Sequence, residues 1–351
     1  MDDSPIQHGQ VSIIVVTYNS RADIDACLTS LRTHSPHAEI IVVDNLSADG
    51  TLDHVRRSYP AVTAVTTGRN GGYGAGNNIG ARLATGEYLV ILNPDTQVEA
   101  GWLDPLLDTL EERPEVGLVT PTILLEGDGE KVNACGNDVH LTGLAFCAGL
   151  NGVAPPLSER PRAVAAVSGA AFAIRREVWE RLGGFDEQFF MYLEDTDLSL
   201  RARRLGYDIL HVPASRIRHR YSVQVSATKL YHLERNRLLM LRKNLSPRTL
   251  ALLSPALLLT ETLTWAFCLR QGKAYTRAKW RSYRRLWRER REFTARAAVP
   301  SSRRADRAVL DSLGPRLALE QLGNNTIAAI ANRALTVFYR SARLAAFAVL
   351  N

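Results

Sequence analysis

Between residues 11 and 120, short apolar runs alternate with helical segments, and this alternation leaves few folds open. Residues 11–18, 39–45, 62–66, 88–92 and 116–120 read as strands, and residues 21–33, 51–58 (behind the cap candidate Asp49), 76–84 and 102–112 as helices. Strands that are apolar at nearly every position are buried on both faces, and connections long enough to hold a helix join strands running the same way. The chain is therefore expected to form an α/β domain around a mostly parallel sheet with helices on both faces. Order lapses over residues 122–166, where Gly, Asn and the Pro155-Pro156 pair suggest loops or hairpins that shape a binding site. It returns with a strand at 170–174, a helix at 176–182, an acidic helix after Met191 and a strand at 207–212. No internal repeat is present.

In open α/β sheets, ligands sit outside the carboxyl ends of the strands, so the residues ending each strand carry the functional reading. The first strand ends in Thr17-Tyr18-Asn19, which supplies an aromatic face and polar groups, although a turn with a helix cap would use the same tripeptide. The second ends in Asp44-Asn45. A carboxylate only accepts hydrogen bonds and could take the ring N–H of a pyrimidine, or could equally cap a turn with Ser47 and Asp49. Arg69-Asn70-Gly71-Gly72-Tyr73-Gly74-Ala75-Gly76-Asn77-Asn78-Ile79-Gly80 holds five glycines in twelve residues ahead of a helix, a composition that lets backbone approach a ligand and offers N–H groups to anions. It is neither the GxxxxGK[ST] phosphate loop nor a dinucleotide GxGxxG in its proper place. The fourth strand ends in Asn93-Pro94-Asp95, a carboxylate suited to a hard divalent cation. Glu194, Asp195 and Asp197 then crowd the start of one helix. Capping needs one acid there; three repel one another, and that repulsion lifts at least one pKa toward a general base. His219, between Arg218 and Arg220, follows the next strand and suits a metal or a diphosphate.

Taken in order, these pieces resemble the family-2 glycosyltransferases of the GT-A fold, in particular a bacterial branch containing rhamnosyltransferases. The resemblance runs over roughly residues 11–245 and includes Ser168-Gly169-Ala170 and Gly183-Gly184-Phe185-Asp186-Glu187. It implies that Thr17, Tyr18, Asn19, Asp44, Asn45, Arg69, Asn70, Gly71, Asn77 and Asn93 line the nucleotide-sugar site. Asp95 takes the place of the last acid of an Asp-x-Asp metal motif whose first acid is Asn93 here. Asp95, with His219 as a further ligand, would hold Mg²⁺ or Mn²⁺. Asp195 would be the general base, with Glu194 and Asp197 tuning it or touching the acceptor. The implied reaction is inverting transfer of a sugar, L-rhamnose being the candidate, from a dTDP- or UDP-sugar to a hydroxyl of a lipid-linked (polyprenyl) or cell-envelope glycan. A catalytically silent sugar-nucleotide-binding or scaffold protein of the same fold is the alternative.

Charge sets the last third apart. Residues 270–307 carry 14 Lys or Arg against Glu289, Glu292 and Asp306, a local +11 in a chain of net charge +7, which leaves the remainder at −4. Confinement of the positive charge to one segment argues against nucleic acid and for one localised anionic partner, the cytoplasmic membrane surface. Ahead of it, residues 249–269 form a 21-residue apolar stretch interrupted by Pro255 and Glu261, read as an interfacial or re-entrant helix rather than a full span. Trp280, Tyr283 and Trp287 would sit at the interface, and the basic segment would stay helical to about Ala298. A helical subdomain or a homo-oligomer contact would use the same pattern. These readings divide the chain into a GT-A catalytic domain at 1–245 and a helical, basic, membrane-associating extension at 246–351. Residues 1–10 do not resemble a secretory leader, and the four scattered cysteines suit a reduced compartment, so a cytoplasmic protein on the inner face of the cell membrane is expected.

Overall fold

The computed structural model describes residues 7–221, 224–289, 302–322 and 326–350. The chain begins β1 (Gln7–Thr17), α1 (Ile24–His34), β2 (Glu39–Asp44), α2 (Thr51–Ser58), β3 (Thr63–Thr66), α3 (Gly72–Leu83), β4 (Gly86–Leu92), β5 (Thr96–Val98) and α4 (Asp104–Glu112). It continues through β6 (Val116–Leu125), β7 (Val132–Ala134), β8 (Asn137–Val139), β9 (Ala145–Cys147), β10 (Arg162–Ala163), β11 (Ala171–Arg175), α5 (Arg176–Leu182), α6 (Glu194–Arg204) and β12 (Asp208–His219). The main sheet runs β10-β12-β6-β11-β4-β1-β2-β3. β1 pairs in parallel with β2 on one side and β4 on the other, and β2 with β3. β11 runs antiparallel to both β4 and β6, while β6 and β12 are parallel to each other. Two reversals restore the first direction, so β1, β2, β3, β4, β6 and β12 all end at one edge of the sheet. β11 begins at that edge, Ala171 lying opposite Leu92. Chain order reverses at β1, the position where ligands gather in such sheets.

Side-chain alternation along β1 explains the two covered faces. Ile13 and Val15 join Ile24, Cys27, Leu28 and Leu31 of α1 in one buried cluster. Ile14 and Val16 point the other way, against α3. A Cβ at Gly76 would lie 2.6 Å from Val16 Cγ1, and one at Gly80 would lie 2.4 Å from Ile14 Cγ2. These two glycines therefore let the helix lie directly on the strand. The expected ligand loop is thus shorter than the sequence suggested: α3 starts at Gly72 rather than 76, and its glycines serve packing.

Two other elements outgrow their expected bounds. β6 continues to Leu125 instead of ending at 120. β12 runs to His219, past the expected end at 212. Its register against β6 shifts between Val212 and Arg216, so Pro213-Ala214-Ser215 bulge out and pairing resumes to His219 opposite Leu125. A bulge is where a strand tolerates proline.

The chain divides into two compact units. The first is residues 1–137, 147–202 and 207–221; the second is residues 138–146, 203–206 and 222–351. The second contains α7 (Ala227–Asn244), α8 (Pro247–Leu252), α9 (Ser254–Gln271), α10 (Lys273–Glu289), α11 (Arg303–Ser312) and α12 (Thr326–Leu350). The apolar stretch is broken: α8 ends at Leu252 and α9 starts afresh at Ser254 with Pro255 in its first turn. No described helix is long and apolar enough to cross a membrane. Helix α10 is described to Glu289, and residues 290–298 of the expected basic helix lie outside the described residues.

Glu261 does not face outward. Arg237 and Lys279 pair with it and with Glu234, Lys279 Nζ lying 2.6 Å from Glu234 and 3.1 Å from Glu261. Burial pulls the Glu234 carboxyl upward, but Arg237 and Lys279 overcome it and hold the group below its ordinary range. Two cations and two acids thus compensate one another inside the helical unit. Tyr283, expected at an interface, donates its hydroxyl inward to Glu261.

Candidate active site

The carboxyl edge of the sheet gathers the sequence-nominated groups into three clusters, all within the first unit. The first lies at the ends of β1 and β2. Thr17 and Asp44 are register partners, and Thr17 Oγ1 donates to Asp44 Oδ1 at 2.8 Å. Ser47 donates its hydroxyl to Oδ1 at 2.5 Å and its N–H to Oδ2 at 2.8 Å. Three of the four acceptor positions on this buried carboxylate are filled, leaving one on Oδ2. Asn19, at φ 52°, receives the Ala48 N–H on Oδ1 and donates its own N–H to Ser47, which fixes the rim. Tyr18 is exposed beside it, and Arg69 and Asn70 are exposed on the far rim. Asn45 and Asn77 are buried. Asn45 Nδ2 donates to Gly72 O and Asn77 Nδ2 to Tyr73 O, each at 3.0 Å, while their Oδ1 atoms find no hydrogen bond. Gly71 precedes the first turn of α3, where a Cβ would meet Ala75 Cβ at 2.8 Å.

The second cluster joins Asp95 and His219. β5 pairs antiparallel with β12, setting Thr96 opposite His219, and Arg220 N–H donates to Asp95 O at 3.0 Å. His219 Nε2 thereby comes 3.2 Å from Asp95 Oδ1. The contact lacks hydrogen-bond alignment, and Asp95 Oδ1 is buried with no hydrogen bond of its own. His219 Nδ1 is held 2.8 Å from Asn133 Oδ1, which aims Nε2 at the carboxylate. An imidazole nitrogen and a carboxylate oxygen at this separation, the histidine oriented through its other nitrogen, form a donor set that fits a divalent cation. No three His, Cys, Asp or Glu converge among the described residues, so protein alone offers two ligands, as Mg²⁺ sites that complete their shell with phosphate and water do. Asn93 lies beside them, its N–H donating to Ala170 O.

The third cluster is built on strain. Phe190, Tyr192 and Leu193 adopt φ of 61°, 71° and 67° immediately before α6. Left-handed backbone in non-glycine residues costs on the order of 1 kcal/mol each and persists where surrounding structure enforces it. Here Phe185 is clamped by Tyr73, Phe172 and Trp179, with ring centroids 5.2–6.1 Å apart. Tyr73 N–H donates to Phe190 O at 2.8 Å. Gly72, at φ 85°, is required there, because a Cβ would sit 2.1 Å from Phe190 O.

This turn delivers Glu194 and Asp195 in the first turn of α6. Asp195 Oδ2 accepts from Gly169 N at 2.7 Å and Asn137 Nδ2 at 3.1 Å; Oδ1 accepts from Thr196 N at 2.6 Å and Thr196 Oγ1 at 3.2 Å. Burial raises its pKa against the lowering effect of those donors. Glu194 is pushed up to about 8, by burial first and then by the Asp195 charge. Its Oε2 is buried without a hydrogen bond. Burial and the proximity of the two carboxyls thus disfavour a second negative charge on the pair. Tyr73 hydroxyl donates to Gly169 O at 2.5 Å, and its pKa is raised by burial first and then by the charges of Glu194, Asp195 and Asp95.

Asp197 stands apart. It is fully buried and ion-paired to Arg201 at 2.8 Å, and Arg201 also donates to Leu182 O and Gly184 O. This third acid ties α6 to the preceding turn and does not face the edge. Conversely, Tyr73, Asn133, Asn137 and Gly169 join the site without having been nominated. Tyr73 and Gly169 lie inside motifs already singled out; the two asparagines sit in the irregular region 122–166, where the sequence offers no periodic signal.

Comparisons with known proteins agree with this fold. A model of glycosyl transferase family 2 matches residues 12–135, and one of glycosyl transferase family group 2 matches residues 88–269. The chain is 30% identical over 237 residues to an N-acetylglucosaminyl-diphospho-decaprenol L-rhamnosyltransferase of Mycobacterium tuberculosis, covering 59% of this chain and 75% of that one. It is 32% identical over 222 residues to an O-antigen biosynthesis protein of Myxococcus xanthus, covering 60% of this chain and 17% of that much longer one. Among solved structures, GalNAc-T7 with UDP, GalNAc and Mn²⁺ superposes at TM-score 0.55 and 20% identity over 67% of this chain and 48% of that one. S. aureus TarS 1-349 with UDP-GlcNAc superposes at 0.53 and 18% identity, over 97% and 91%. At these identities the two structures speak for the fold alone.

Proposed function

Because the chain belongs to glycosyltransferase family 2, in its rhamnosyltransferase-like branch with the GT-A fold, we propose that it is an inverting transferase. In this reading it moves a hexose, L-rhamnose by analogy with the M. tuberculosis relative, from a dTDP- or UDP-sugar to a hydroxyl of a polyprenyl-linked or envelope glycan. The observation that carries the reading is Asp195: a half-buried carboxylate of raised pKa, held by four donors at the carboxyl edge of a sheet whose neighbouring strand ends supply Asp44 and Asp95.

The remaining acceptor position on Asp44 Oδ2 takes the pyrimidine ring N–H, with Thr17 holding the carboxylate in place and Tyr18 and Asn19 at the rim. The unpaired oxygens of Asn45 and Asn77 accept from ribose hydroxyls or an ordered water, and Arg69 meets the diphosphate. Asp95 and His219 hold Mg²⁺ or Mn²⁺, with Asn133 orienting the histidine. When bound, the cation offsets the charge of the departing diphosphate. Asp195 takes the proton of the acceptor hydroxyl as its oxygen forms the new bond to the anomeric carbon. The bond from that carbon to the diphosphate oxygen breaks, and the nucleoside diphosphate leaves with the electron pair. All four acceptor positions on Asp195 are filled, so the incoming proton displaces the weakest donor, the Thr196 hydroxyl or the Asn137 amide. One base facing one leaving group gives a single displacement.

A donor panel tests this. Protein with Mn²⁺ is incubated with UDP-, GDP- and dTDP-sugars, with and without a membrane-lipid extract, and nucleoside diphosphate release is followed. Release from a dTDP- or UDP-sugar, stimulated by the extract, is the expected result. Measurable nucleotide binding with no release from any donor would instead support the silent binding protein.

A further inference from the structure

We infer that the exposed face formed by α9 and α10 is a docking surface for an anionic phospholipid bilayer, with the two helices lying in the membrane plane. The inference stands on this surface alone and holds whatever sugar or acceptor the active site uses.

Three bands of side chains run side by side. On α9 the exposed residues Pro255, Leu258, Thr262, Ala266 and Leu269 recur every three or four positions as an uncharged stripe that gives way to exposed Arg270 and Gln271 at the helix end, with Leu258 and Leu269 each 68% exposed. On α10 the exposed stripe contains Lys273, Arg277, Trp280, Arg284 and Trp287 at the same spacing. Helical rotation sets the two tryptophans on the side of this stripe nearer α9, and Trp280 stacks edge-on against Trp265 of α9 at 5.5 Å. The cations lie on the farther side. The order across the surface is therefore apolar stripe, tryptophan border, cationic rim. It matches the depth profile of an interfacial helix, in which the apolar face enters the acyl boundary, tryptophans sit at headgroup level and cations meet lipid phosphates.

Charge selects the occupant. The two helices hold only two acids, and both are engaged by cations: Glu261 by Arg237 and Lys279, Glu289 by Arg235 and Arg285. What remains on the outer face is positive. A second copy of this surface would repel it, and an apolar stripe bordered by tryptophan has no use on a nucleic-acid backbone. An anionic bilayer satisfies both the stripe and the rim. Leu258, Leu269, Trp280 and Trp287 are each more than 60% exposed, a grouping of large apolar side chains that a lipid surface would cover.

The test uses the full chain and vesicles, without substrate. Co-sedimentation should show binding to phosphatidylcholine vesicles containing phosphatidylglycerol and little binding to phosphatidylcholine alone. Tryptophan fluorescence should shift to the blue and be quenched by lipids brominated in the upper acyl chain. Arg277→Gln with Arg284→Gln should weaken binding roughly thirtyfold, from about 1 kcal/mol per cation near an anionic surface. Leu258→Glu should weaken binding with the cations intact and, being exposed, leave the circular dichroism unchanged. Equal binding to neutral and anionic vesicles, no binding to either, or unchanged affinity in both variants would overturn the inference. So would protection of the tryptophans by self-association instead of by lipid.

Discussion

Asp195→Asn is expected to bind the nucleotide sugar with unaltered affinity and to transfer it between about 10² and 10⁴-fold more slowly, the range a positioned general base supplies. The amide keeps the shape of the side chain and an acceptor for the Gly169 N–H, while its nitrogen replaces the oxygen that accepts from Thr196 N–H, so the change removes basicity together with that one local bond. Donor affinity by calorimetry and turnover by nucleoside diphosphate release separate the two effects. A variant that retains wild-type turnover would remove Asp195 from the role given to it. The pH profile carries the same signature. Burial raises the Asp195 pKa, and the base works only when deprotonated, so activity falls with decreasing pH above the ordinary carboxylate range. The Asn137 amide acts the other way, lowering that pKa. Asn137→Leu removes it and moves the acid limb to higher pH.

Asp95→Ala is expected to lose activity at least as severely as loss of an outer-shell metal partner, which typically costs 10 to 100-fold, and to bind Mn²⁺ more weakly by electron paramagnetic resonance. The side chain is about one-third exposed, and the backbone bond from Arg220 to Asp95 O survives the change, so the fold should hold. Asn133→Ala reaches the same site through His219 and should weaken Mn²⁺ binding while leaving Asp95 in place. Full activity of Asp95→Ala in the presence of a chelator would show that these residues hold no metal that the reaction uses.

Much of this arrangement was legible in the sequence because it follows periodicity. Thr51–Ser58 and Arg176–Leu182 emerge with the bounds the pattern gives, and Thr17, Asp44 and Asn93 fall at strand ends because the apolar runs stop there. What escaped is non-local. The glycines of α3 suggested a ligand loop, but whether a glycine meets a ligand or a strand depends on what lies opposite, here Val16 and Ile14. Asp197 looked equivalent to Asp195 two residues away. A helix turns about 200° over two residues, which carries one carboxylate to the edge and the other onto Arg201. His219 and Asp95 stand 124 positions apart and meet only because β12 bulges at Pro213 and then pairs with β5. Asn133 and Asn137 belong to short irregular strands with no repeating signal. Glu261 read as a flaw in an apolar helix because its partners, Arg237 and Lys279, come from other helices.

The anomeric configuration of the transferred sugar, read by NMR from one-bond carbon–proton coupling in the purified product and compared with that of the nucleotide donor, tests the central claim most directly. A single displacement assisted by Asp195 predicts inversion at the anomeric carbon. Retention of the donor configuration would contradict it, requiring either a covalent intermediate or front-face chemistry that one base at this edge does not provide.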